Sequence, residues 1–127
     1  MDIYKVNISS IGDGWSDYKS VQGEIYEEGG VITVKYSLDG DECVLTVKDG
    51  KAVQERKGGQ CVKISFQEGK RTKCEIGSGS FYGSYEILTK RLKFICGKGG
   101  YKLLLEYENG SDGELIELTL TAVKILK

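Results

Sequence analysis

The sequence predicts an all-β protein: a single antiparallel, mostly up-and-down β-barrel of about nine or ten strands, lipocalin-like in type. Three observations carry this expectation. Turn signals recur roughly every 10 residues, the spacing of an antiparallel meander. Between them, apolar and polar residues alternate with period two, and no segment holds a convincing helical period.

The turn signals come first. They stand at Gly12-Asp13-Gly14, Glu28-Gly29-Gly30, Asp39-Gly40, Asp49-Gly50, Gly58-Gly59, Glu68-Gly69, Gly77-Ser78-Gly79, Gly97 to Gly100 and Asn109-Gly110. Asp-Gly and Asn-Gly supply the positive φ angles that tight hairpins require. Strands joined by such short links are antiparallel neighbours.

The strands follow in order. In "VITVKYSL", Ile32, Val34, Tyr36 and Leu38 share a face, and in "CVLTVK" Cys43, Leu45 and Val47 do. In "CVKISF" the shared face is Val62, Ile64 and Phe66. The stretch "FYGSYEIL" suits a strand better than a helical turn, because Tyr85, Ile87 and Thr89 favour extended backbone. There, Tyr82-Gly83 is expected to mark a bulge or close backbone approach where the strand enters the barrel. "RLKFIC" presents Leu92, Phe94 and Cys96; "YKLLLEY" presents Tyr101, Leu103, Leu105 and Tyr107; "ELIELTLTA" presents Ile116, Leu118, Leu120 and Ala122. Each segment has one apolar stripe to hide, which a sandwich or a closed sheet can do. Closure also removes sheet edges. The chain contains no proline, a common protector of edges, and that favours the barrel.

The bulk numbers agree. At 127 residues the chain fits one domain, residues 1–127. No apolar run approaches the roughly 20 residues of a membrane helix, so no membrane insertion is expected. "MDIYKVNISS" has neither the basic nor the apolar region of a signal peptide, which points to the cytoplasm. In that reducing compartment the four cysteines are expected to stay free. Cys43, Cys74 and Cys96 fall on apolar faces, and Cys61 falls on a polar face with Lys63 and Ser65, as the reactive thiol.

The chemistry is poor in catalytic options. The chain has no histidine, so the commonest general base and a common zinc ligand are missing. The carboxylate pairs Glu27-Glu28 and Asp41-Glu42 sit beside turns, and adjacent strand residues point to opposite faces. "GKGGYK" lacks the phosphate-loop spacing and leads into a strand. No enzyme activity, metal site or cofactor is expected. A single-stranded nucleic-acid platform would rest on Phe81, Tyr82 and Tyr85 beside Lys90, Arg91 and Lys93. The net charge of −1 and the lack of an RNP-type motif count against nucleic acid as a partner. Residues 48–98 hold twelve basic and five acidic side chains, but these spread over several strands and read as solvated outer faces. A protein-interaction module is neither supported nor opposed by any motif.

A family resemblance rests on "GEIYEEGGVITVKYS", "ERKGG", "FQEG", "FYGSYEILTKRLKF" and "LLLEYE" in that order. Its sharpest positions are Gly23, Tyr36, Arg56-x-Gly58, Phe66-x-x-Gly69, Tyr82-Gly83, Thr89 and Tyr107. In this the chain resembles the YwiB-like family of small bacterial proteins. The resemblance implies a lipocalin-like (calycin-type) barrel and carries no activity or site residue with it.

Small barrels hold one apolar molecule in the interior or mouth. The candidate ligand-binding residues are Tyr36, Phe66, Phe94, Leu103 and Tyr107, joined by Ile32 and Val34. Arg56 or Arg91 would anchor a carboxylate on such a ligand.

Overall fold

The computed structural model describes residues 2–110 and 112–125. Ten strands follow one another: β1 (Ile3–Gly12), β2 (Trp15–Glu28), β3 (Val31–Leu38), β4 (Asp41–Lys48), β5 (Lys51–Lys57), β6 (Cys61–Gln67), β7 (Arg71–Ser78), β8 (Phe81–Gly97), β9 (Gly100–Asn109) and β10 (Leu115–Lys124). Each pairs with its sequence neighbours, and β1 also pairs with β10, so the sheet closes. Every pairing is antiparallel, which an even number of meandering strands permits. No helix among the described residues is long and apolar enough to cross a membrane.

The links fall on the expected turn signals. Asp39-Gly40 and Asp49-Gly50 both carry two positive φ angles in succession, 52° then 85° and 49° then 75°. That backbone matches the right-handed twist of the flanking strands, and Asp and Gly tolerate it best. The turns at 13–14, 39–40, 58–60 and 79–80, and the β9–β10 link, gather at one end of the barrel. The other four links and both terminal strand ends gather at the opposite end.

Alternation along each strand sends the apolar stripe inward. Val6, Val34, Ala52, Leu103 and Ala122 lose essentially all exposure and form the packed middle of the core. Toward the end that carries the chain termini, Tyr101 packs against Tyr4 and stacks on Phe94, with ring centres 5.8 and 5.9 Å apart. Gly23 faces inward beside these layers, and a Cβ there would lie 2.8 Å from the Lys35 carbonyl oxygen and 3.0 Å from Val6. Only glycine leaves the room for β1, β2 and β3 to approach so closely.

The bulge lies elsewhere than expected. Gly83 pairs regularly with Ile76, and the register shift falls between Thr89 and Arg91. Its effect is to change phase: Tyr85, Ile87 and Thr89 face inward before it, Leu92 and Phe94 after it. Thr89, the one buried polar side chain of the described core, secures the kink. Its backbone N–H donates to Lys70 O at 3.2 Å, its carbonyl accepts from Gly69 N at 2.8 Å, and its Oγ1 accepts from Gln67 N at 3.3 Å. The β6–β7 turn is thereby tied to β8 where regular β6–β7 pairing has ended at Ile64 and Cys74.

The cysteines also need one correction. Cys43 and Cys74 are buried and Cys61 is exposed, but Cys96 is exposed rather than buried. It stands opposite Tyr101 in register, next to the last residue of β8, and is exposed there.

Candidate functional site

The barrel interior is packed in its middle and opens toward both ends. A cavity of about 330 Å³ opens toward the end ringed by the 39–40 and 58–60 turns. Its floor is aliphatic, with Leu45, Leu103, Leu105 and Leu120. One wall, from β6 and β9, adds Val62, Ile64, Phe66 and Tyr107; Phe66 and Tyr107 meet with ring centres 5.1 Å apart. The opposite wall, from β1 to β5, turns polar near the mouth with Ser10, Asp17, Lys19, Gln54 and Arg56. The cavity is two-faced: apolar below and on one side, hydrogen-bonding and charged on the other.

The polar wall is organised around two ion pairs and one hydrogen bond. Arg56 Nε donates to Asp41 Oδ2 at 2.7 Å, and this raises the affinity of the guanidinium for its proton. Lys19 Nζ stands 3.9 Å from Asp39 Oδ2 at the β3–β4 turn, an exposed and loose pair. Gln54 Nε2 donates to the Tyr36 oxygen at 3.1 Å. Burial pushes the Tyr36 hydroxyl up to about 12, so it stays neutral and available as a hydrogen-bonding group. Burial raises Tyr107 and the neighbouring Cys43 thiol in the same direction. Asp17 lines the cavity and, among the described residues, its carboxylate takes part in no ion pair or hydrogen bond. The rim carries Trp15, whose indole lies against Gly12 and donates to Glu114 Oε2 at 2.7 Å.

The sequence-derived candidates divide as follows. Tyr36, Phe66, Leu103, Tyr107 and Arg56 all line this cavity. Phe94 lies at the other end, beside Ile32 and Val47 in a separate cleft of about 290 Å³, and Val34 is wholly buried in the packed middle. Arg91 is exposed on the outer wall opposite Glu106 and does not reach the cavity, because the bulge at Lys90 turns it outward. The pair Asp41-Glu42 splits as expected: Asp41 turns to Arg56, while Glu42 accepts from Ser37 Oγ on the other face. The aromatic trio also splits. Tyr82 bonds Glu75 at the surface at 2.9 Å, Tyr85 faces the core, and Phe81 covers Gly83 at the rim.

Sequence reading missed Ser10, Asp17, Lys19 and Gln54. The signal was present for two of them: in "WSDYKSVQG", Trp15, Asp17, Lys19, Val21 and Gly23 occupy one parity, and Val21 packs against the core. A polar residue on an inward parity near a strand end marks a wet mouth.

Comparison with known proteins agrees with this architecture. The chain is similar to the ywiB protein from Bacillus subtilis, whose crystal structure matches with a TM-score of 0.80 at 16% sequence identity, covering 98% of this chain and 92% of that one. At that identity the likeness establishes the shared barrel. No curated protein sequence matches the chain. The family model described as a domain of unknown function, DUF1934, matches residues 6–120, and the chain therefore belongs to the DUF1934 family, a YwiB-like family of β-barrel proteins.

Proposed function

We propose that this protein is a non-enzymatic barrel that binds one small, mostly apolar ligand, working in the reducing cytoplasm where its free thiols are stable. The observation that carries this reading is the hollow end: about 330 Å³ of aliphatic and aromatic lining with a polar group of each kind at the mouth. That volume is at the small end of ligand pockets, which run from about 300 to 1,000 Å³. A packed barrel would have left few voids larger than a water molecule. The apolar part of the ligand lies against Leu103, Leu105 and Leu120, and its polar end meets the hydrogen-bonding and charged wall at the mouth.

Calorimetric titration with octan-1-ol tests this reading. Binding at about 0.1–1 mM is expected from the atom count of such a probe. Ser10→Trp places a large ring in the mouth and should abolish binding, whereas Ser20→Trp, on the outer face, should leave it intact. Equal binding by both variants would place the probe outside the barrel.

A further inference from the structure

The charges at the mouth say more about the ligand than that it is apolar. Arg56 and Lys19 are the two cations that line the cavity, and each already has a carboxylate: Asp41 at 2.7 Å and Asp39 at 3.9 Å. Asp17 lines the same cavity and, among the described residues, has no partner. Counting these five side chains, the mouth holds two positive and three negative charges, and the unmatched one faces the cavity. A carboxylate entering here would meet Asp41 as it approached Arg56, whose Nε is already engaged. Two like charges at one site oppose each other's ionised state. The expectation of a fatty-acid-like ligand anchored by an arginine does not fit this arrangement.

We infer that the ligand's polar end is a cation, an ammonium on an apolar body, drawn to Asp17 at the mouth of the barrel. The inference rests on the cavity reading above and names the class of molecule that the cavity takes. Two features favour it besides the charge count. Trp15 occupies the same inward parity two residues before Asp17 and is 41% exposed at the rim. Indole rings attract ammonium groups. Tyr36 and Gln54, deeper on the polar wall, are neutral, so the apolar body meets no second uncompensated charge below the rim.

Three probes of one chain length separate the alternatives: octylammonium, octan-1-ol and octanoate, titrated at neutral pH and low ionic strength. Octylammonium should bind about tenfold more tightly than octanoate, with the alcohol between them, since a partly exposed charge attracts one and repels the other. Added salt should narrow that gap. In Asp17→Asn the two charged probes should fall within about threefold of each other. Asp17 is exposed and unbonded, so this variant keeps the fold. Octanoate binding as tightly as octylammonium, or more so, would overturn the inference while leaving the cavity a ligand site. An ammonium preference unchanged in Asp17→Asn would overturn the assignment to that residue. Failure of all three probes to bind would overturn the cavity reading and the inference together.

Discussion

Arg56 Nε and Asp41 Oδ2 lie 2.7 Å apart at the barrel mouth, on a diagonal two residues from the direct cross-strand pair of Arg56 with Cys43, and Gly58 makes the contact possible. A Cβ on Gly58 would fall on the Asp41 carboxylate, 1.7 Å from Oδ1. The pair is about one-third exposed, so its worth is modest, about 0.2–1 kcal/mol. Its greater consequence is that it leaves Arg56 neutralised within the cavity wall. Asp41→Asn should therefore lower stability by no more than about 1 kcal/mol, yet raise octanoate affinity about threefold by freeing the guanidinium. Chemical denaturation and calorimetry on the same sample read both quantities. A large stability loss with no gain in octanoate binding would mean that the pair is structural and remote from the ligand.

Thr89 gives a sharper stability prediction. Its Oγ1 is the acceptor for the Gln67 N–H at a place where regular strand pairing has lapsed. Thr89→Val keeps the shape and removes that acceptor, and the stranded donor should cost about 1–3 kcal/mol. The backbone bonds to Gly69 and Lys70 remain, so circular dichroism of the folded variant should be unchanged. A variant as stable as the parent would show that the Gln67 N–H is satisfied in another way.

The thiols should react in two pairs. Cys61 and Cys96 are exposed, Cys43 and Cys74 buried. Maleimide labelling of the native protein followed by mass spectrometry should add two labels quickly and two only on unfolding. Saturating octylammonium should slow Cys43 further, since Cys43 lines the cavity and the exposed pair does not. Fast labelling of Cys74 would contradict the inward facing of β7.

Alkaline pH should loosen the barrel through Tyr36. Its folded hydroxyl is pushed up to about 12 by burial, against 10.0 for an unperturbed tyrosine. Between those values the unfolded chain loses a proton that the folded chain keeps, so stability falls as pH rises. The contribution is complete below about pH 10 and is lost toward pH 12, a change of about 2–3 kcal/mol for this one group. Urea denaturation across that range should show a steeper decline for the parent than for Tyr36→Phe. Parallel declines would mean that Tyr36 ionises freely and is not buried as described.

The contrast between what was legible in sequence and what was not follows the range of the interactions. Asp39-Gly40 and Asp49-Gly50 announce their hairpins because turn chemistry is local, and hairpin order leads to an up-and-down meander that closes. The bulge was legible in principle. Core-facing apolar residues of β8 sit on odd positions through Ile87 and on even positions from Leu92, so one strand spanning both must gain a residue between them. Gly83 drew attention instead because glycine is the common bulge marker, whereas here it accommodates the Phe81 ring. In an unbroken strand Arg91 would share the inward parity of Tyr85, Ile87 and Thr89, and the bulge turns it outward. Cys96 has the inward parity but stands at the open end of the barrel, where it is exposed, and parity alone does not report depth along the barrel. The pairing of Arg56 with Asp41 depends on Gly58 across the strand pair, a relation that no periodicity in the sequence displays.

Nuclear magnetic resonance of methyl-labelled protein titrated with octan-1-ol shows whether the end of the barrel ringed by the 39–40 and 58–60 turns is a ligand cavity. Saturable shifts are expected at Ile64, Leu103, Leu105 and Leu120, which line the cavity, and none at Ile32 or Val47 at the opposite end or at Ile95 and Val123 on the exterior. Shifts centred on Ile95 and Val123, or no shifts at any methyl up to the solubility of the probe, would contradict a ligand cavity there.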